Sequence, residues 1–305
     1  MANKSITLNL KAPRMFNFRR TVYNHGWCVL PPFRVDRQNH HLFRLLTLED
    51  GTAVHCELLD GGRSTIVIRA SSAGPLSAAH RAGVLRKISE CLRLTENFSD
   101  FFREANRYPK YRWIVKAKTG RMLRAPSVFE DLVKMICTTN CSWALTEIMT
   151  GNLVGELGIP FDGTAKSFPT PEAIAGSTER FMRKTIRAGY RSPYLIEFAD
   201  RVASGKLDVE QWRTSNLPTP ALFRELRSVK GAGDYTAGNM LKLLGRYDYL
   251  GLDSWVRGQY YELYHHGRAV SDRTIEKRYD RYGKWRGLFF WLEMTKHWFE
   301  RNPPF

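Results

Sequence analysis

The chain reads as an α+β protein: an antiparallel β-sheet lobe with a helix, then a longer, mostly α-helical region of two lobes. Three observations predict this class. Alternating polar and apolar residues separated by tight turns recur through the first hundred residues. Strand signals then stop near Ser99, and apolar residues recur at helical spacing. Finally, 305 residues with 43% hydrophobic content are enough for two or three packed lobes.

Ser5–Leu10 alternates strictly. His41–Leu48 runs into the turn Glu49-Asp50-Gly51, and Ala53–Leu59 into Asp60-Gly61-Gly62, after which Ser64–Arg69 follows. Such spacing is the mark of hairpins, since Asp and Gly supply the backbone angles that tight turns require. Ala78–Leu94 is helical, with Val84, Leu85, Ile88 and Leu92 on one face. Residues 1–98 therefore form the sheet lobe and 99–305 the helical region. Its helices begin at start signals such as Ser127, Thr170 and Asp272. Tyr108–Pro126, aperiodic and rich in Lys and Arg, reads as a linker or surface loop.

Lys and Arg total 47 against 30 Asp and Glu, a net charge of +17. That excess attracts polyanions at long range. Five widely spaced cysteines (Cys28, Cys56, Cys91, Cys137 and Cys141) contain no CxxC, so a reducing compartment fits better than a disulfide framework. Two thiols four apart make a poor metal site, and no metal ligand set is expected. No run of about 18 apolar residues occurs, and the N-terminus lacks a signal pattern. The expectation is a cytoplasmic, nucleoid-associated monomer with no membrane partner.

The most specific segment is 226–245. Gly231-Ala-Gly233 is a tight turn between two helical patterns, and Thr236-Ala237-Gly238 opens the second with small residues. Free N–H groups at the start of that helix suit a phosphate oxygen. A DNA backbone is then gripped without reading bases. Asp253 follows Gly233 by 253 − 233 = 20 positions, after the glycine-bearing loop that starts at Gly245. A plain helix turn and a plain N-cap are the alternative readings of these two features. An N-capping carboxylate is nevertheless fixed in direction, which suits a catalytic group. There is no Walker loop, and Gly231-Ala-Gly233 does not follow a strand, so no organic cofactor is expected.

Residues 226–257 resemble the helix-hairpin-helix and Gly/Pro-rich loop with aspartate (HhH-GPD) of the DNA glycosylase superfamily that includes endonuclease III. The loop here, 245–252, has glycines but no proline. Phe129–Asn140, Phe168–Ala175, Gly189–Tyr194 and Tyr282–Trp291 extend the likeness over roughly residues 125–295. The N-terminal sheet suits the subgroup of the bacterial alkyladenine and 8-oxoguanine glycosylases. No cysteine follows Cys141, which excludes a C-terminal iron–sulfur cluster.

The resemblance implies a base-excision enzyme that acts on double-stranded DNA containing a damaged base. It rotates the target nucleotide out of the duplex, since the sugar C1′ is otherwise shielded. Gly231, Gly233 and Thr236 would hold the strand, Tyr190 would wedge into the stack, Asn140 would fill the gap and Arg191 would bind beside the orphaned base. A turn aromatic and a helix cap remain alternatives for Tyr190 and Asn140. Asp253 would stabilise positive charge on the sugar and orient or deprotonate water. Trp291, Tyr235, Asn239 and Trp255 would line the base pocket, with Phe16 or Phe18 closing it from the N-terminal lobe; core packing is the alternative for the aromatics. Relatives that also cut the strand carry a lysine where this chain has Tyr235. Lys230 and Lys242 stand at other helical positions, so hydrolysis without strand cleavage is expected. A Trp face attracts a cationic alkylpurine, worth roughly 0.5–2 kcal/mol, and 3-methyladenine is the leading substrate. An oxidised or deaminated base is the second reading, although the base-reading glutamine and cysteine of the 8-oxoguanine enzyme are Gly287 and Asn239 here. The third is a non-catalytic lesion-binding protein, against which Asp253 speaks. The resemblance also allows a monovalent cation on the hairpin backbone.

Overall fold

The computed structural model describes residues 4–162 and 165–300, the last without its side chain. Five strands, β1 (Lys4–Lys11), β2 (Phe33–Asp36), β3 (His41–Thr47), β4 (Ala53–Asp60) and β5 (Thr65–Ser72), form one sheet in the order β1-β5-β4-β3-β2. Every neighbouring pair is antiparallel, with Leu58 opposite both Leu42 and Ile68. The four alternating segments are all strands, and Gly51 and Gly62 take the positive φ their turns require. β2 spans only four residues and shows no alternation to read. Leu42, Leu46, Val54, Cys56, Leu58, Ile66, Ile68 and Ala70 point inward, each at most 1% exposed. They share a core with Val84, Ile88, Cys91 and Leu92 of the helix Ala78–Leu92.

The helices that follow do not form one continuous second unit. The sheet lobe shares its core with residues 123–244, while Phe98–Met122 packs with 247–294 in a second core. The chain leaves the first core near residue 98, returns at Leu123 and leaves again after Leu244.

Tyr108–Pro126 is neither a linker nor a surface loop. It contains the short helix Arg112–Ala117, and residues 119–125 are all buried. The arginines there are internal struts. Arg121 donates to the carbonyls of Arg93, Glu96 and Met15, and Arg124 to those of Glu90 and Leu243. Arg93, fully buried, donates to Lys242 O. Arg93 and Arg124 thus satisfy carbonyls at the C-terminal end of the helix Asp234–Leu243, where orphan acceptors and the helix dipole favour cations. A guanidinium offers five donors on an apolar stem, so a basic run need not be a solvated one. Part of the positive charge is therefore structural rather than a footprint for polyanions.

One inward position of β3 is charged. Arg44, 2% exposed, makes a two-pronged contact with Glu130 at 2.7 and 2.6 Å, and Lys134 Nζ stands 2.7 Å from the same carboxylate. Burial alone would raise the Glu130 carboxyl. The two cations more than reverse that and hold it at about 2.

Candidate active site

The glycine turn joins the helices Thr219–Arg227 and Asp234–Leu243. Gly231 has φ +85°, and a Cβ there would meet the Tyr194 ring at about 3.0 Å, so both conformation and space demand glycine. Gly233 is exposed, with nothing within 4 Å of where a Cβ would stand, and it starts the second helix without a side-chain cap. Its open backbone and the uncapped first-turn N–H groups face a groove of about 1020 Å³. Arg227, Lys230 and Arg257 line the same groove. Thr236 is fully buried, so its place at the groove comes from the backbone and not from a free hydroxyl. The carbonyl of Val229 accepts the Ala232 N–H, and that of Leu226 accepts from Val229 and Ser228.

The loop 245–252 is pressed onto the second hairpin helix. A Cβ at Gly238 would stand 3.1 Å from Gly251 Cα and 2.7 Å from the Tyr249 ring. On the loop's other side Gly287 N–H donates to Tyr247 O at 2.7 Å, and a Cβ there would stand 1.9 Å from Tyr249 O. Position 287 is thus a packing site for the loop. Gly287→Ala is expected to cost roughly 1–3 kcal/mol of stability, read by denaturant unfolding, because backbone must move to admit the methyl.

The loop delivers Asp253. It caps the helix Ser254–His265, with Oδ1 accepting from Val256 N–H at 2.9 Å. The side chain is half-buried. It stands where the groove meets a cavity of about 330 Å³, and Thr138, Tyr235 and Trp255 share that junction.

The cavity lies between the two cores and is strongly aromatic. Trp27, Trp143, Tyr235, Trp255, Trp291 and Trp298 line it. Trp291 is fixed by a 2.8 Å hydrogen bond from Nε1 to the buried Asn24. Trp255 is 39% exposed and forms a lip, its ring centroid 6.3 Å from that of Trp291. Asn239 also lines the cavity, with Nδ2 donating to Tyr235 O. Burial raises the Tyr235 hydroxyl, which stays neutral.

Phe16 and Phe18 do not line the cavity. Asn17 caps the helix Phe18–Val22, and both phenylalanines pack into the sheet-side core. The N-terminal lobe closes the cavity through His25, Gly26 and Trp27 instead. Gly26 is required because a Cβ there would stand 2.3 Å from the Trp143 ring. His25 lies 2.5 Å from Leu123 O through Nε2, so that nitrogen carries the proton. Burial, reinforced by nearby cations including Lys242, pushes the imidazole down to about 3 against the pull of that bond, so it is neutral.

Lys242 is the residue the sequence reading passed over. It follows Tyr235 and Asn239 at helical spacings of seven and three, and all three side chains face the cavity. Its Nζ lies 4.3 Å from the Trp291 ring centroid, and the side chain is 3% exposed.

At the groove rim Tyr190 is 45% exposed, with its hydroxyl 3.3 Å from Asn140 Nδ2. Asn140 is exposed and has φ +46°. These two stand exposed at the groove rim. Arg191 does not. It is 4% exposed, donates to the carbonyl and hydroxyl of Thr139, and lies under the Tyr190 ring at 4.5 Å. It positions the rim and has no guanidinium edge free for a base.

No protein-family model and no curated protein matches the sequence. Solved structures do. The chain is similar to a 3-methyladenine DNA glycosylase from Archaeoglobus fulgidus at 24% identity and TM-score 0.74, over 96% of this chain and 99% of that one. It is similar to the 8-oxoguanine glycosylase/lyase of Clostridium acetobutylicum in its apo form at 19% identity and TM-score 0.72, over 96% and 97%. The same enzyme with double-stranded DNA containing cytosine opposite 8-oxoguanine matches at 19% identity and TM-score 0.71, over 97% and 99%. The chain thus shares the fold of these solved structures over nearly its whole length.

Proposed function

We propose that this chain is a monofunctional DNA glycosylase, which binds damaged duplex at the hairpin groove, everts one nucleotide and hydrolyses its N-glycosidic bond. The observation that carries the reading is the place of Asp253. It stands at the junction of a groove that offers open backbone N–H groups and an aromatic cavity fit to hold a base. A nucleotide rotated from the groove into the cavity carries its sugar through that junction. The carboxylate then faces C1′, stabilises the developing oxocarbenium charge and orients the attacking water.

Position 235 carries a phenol where strand-cutting relatives carry an amine, and Lys242 lines the cavity but not the groove. Incubation with lesion-bearing duplex and borohydride is therefore expected to trap no covalent protein–DNA adduct. A trapped adduct would contradict the hydrolytic reading.

Two substrate classes fit the cavity. Its tryptophan walls suit a cationic alkylated purine such as 3-methyladenine. Lys242 favours the second class, an oxidised or deaminated base, because its ammonium already lies over the Trp291 face where a cationic purine would stack.

A further inference from the structure

We propose that Lys242 reads the everted base, and that the cavity selects a neutral base whose carbonyl oxygen accepts a hydrogen bond from the Lys242 ammonium over a cationic alkylated purine. The inference rests on the glycosylase reading above and names its substrate class.

Lys242 is nearly fully buried, yet among the described residues its ammonium has no hydrogen bond and no ion pair, and the side chain points into the cavity. The Trp291 face and the charge of Asp253 offset only part of the cost of burying a cation, and neither occupies its N–H donors as a hydrogen-bond acceptor would. Several other polar groups around it are committed. His25 Nε2 is bound to Leu123 O, and Trp27 Nε1 donates to Asp131 at 2.7 Å. Thr138 Oγ1 donates to Met135 O at 2.7 Å, and Trp291 Nε1 to Asn24. An ammonium carries three donors. Those of Lys242 remain for whatever enters. Burial lowers the amine to about 8, with the charge of Asp253 opposing the fall, so it is mostly protonated at neutral pH.

The chemistry separates the two substrate classes. When water attacks C1′, a C–O bond forms, the C–N bond breaks and its electron pair leaves on the base. The water proton passes to Asp253 and then to solvent. A base that was neutral departs as an anion and takes up a proton, giving free base and the sugar hydroxyl. An ammonium hydrogen-bonded to its carbonyl oxygen stabilises that anion as it forms. A base that was already cationic departs neutral and needs no such help. In the ground state its charge would also repel Lys242 at short range, in a site with little water to screen them.

The test measures single-turnover base release by the full chain from duplexes carrying 8-oxoguanine or hypoxanthine, and from methylated DNA that yields 3-methyladenine. Wild type is expected to release at least one of the neutral bases faster than 3-methyladenine. Lys242→Met is expected to slow that release roughly ten- to hundredfold, the size of a lost charge-assisted hydrogen bond, and to slow 3-methyladenine release far less, so that the ratio of the two rates falls. Lys242→Arg keeps the charge and is expected to keep the preference for neutral bases, which guards against a misfolded methionine variant. Preference of wild type for 3-methyladenine, or an equal loss on every base in Lys242→Met, overturns the inference and leaves the glycosylase reading standing. A borohydride-trapped adduct that disappears in Lys242→Met also overturns it, by making the amine a nucleophile. If wild type releases no base from any duplex, the glycosylase reading itself has failed.

Discussion

Asp253→Asn is expected to lower single-turnover base release roughly 10²–10³-fold while leaving the fold and the affinity for duplex almost unchanged. The magnitude is that of losing one preorganised electrostatic group aimed at charge that develops in the transition state. The asparagine variant is informative because this residue has two roles. Its Oδ1 caps the helix Ser254–His265 by accepting from Val256 N–H. An asparagine side-chain oxygen makes the same cap, and the two residues rank together at that position. If capping were the whole role, the variant would release base at the wild-type rate. Asp253→Ala removes the cap as well and is expected to cost about 1 kcal/mol of stability in addition.

The second large effect concerns stability. Glu130→Gln is expected to destabilise the chain by about 3–5 kcal/mol, measured by chemical denaturation, because it takes the paired carboxylate from the buried Arg44 and Lys134. Replacing all three by apolar residues of similar volume is expected to cost much less. The pH dependence has a definite sign. The Glu130 carboxyl is held at about 2 in the folded chain, below its unfolded value of roughly 4.3. Its contribution is therefore fully present above the unfolded value and is lost as pH falls from there toward 2. A Glu130→Gln variant as stable as wild type would show that the cluster contributes little.

The hairpin and the carboxylate at the head of the next helix were legible in the sequence because each obeys a local rule. Gly231 needs positive φ, Gly233 leaves its helix uncapped, and Asp253 caps the next helix, all within a short span of chain. The strands β1, β3, β4 and β5 were legible from alternation and turn chemistry, whereas β2 is too short to alternate. The cavity wall was legible only in part. Tyr235, Asn239, Trp255 and Trp291 lie near the motifs, but His25 and Trp27 reach the cavity from the sheet lobe by tertiary packing that no spacing records. Phe16 and Phe18 failed for the same reason: they stand on either side of the Asn17 cap and pack into the sheet-side core. Tyr108–Pro126 misled because a basic, aperiodic run normally means solvent, and here the guanidiniums find backbone carbonyls inside the protein. Lys242 was visible by its helical spacing from Tyr235. A lysine among apolar neighbours gives no sequence sign that it is buried in a cavity rather than exposed.

The most direct test is a crystal structure of the Asp253→Asn variant bound to a duplex that carries one lesion. The glycosylase account predicts the damaged base inside the cavity against Trp291, its C1′ beside position 253, and the strand's phosphates on the Gly231–Gly233 turn. A duplex seated on that turn with every base still stacked, or a lesion held away from the side chain at 253, would contradict it.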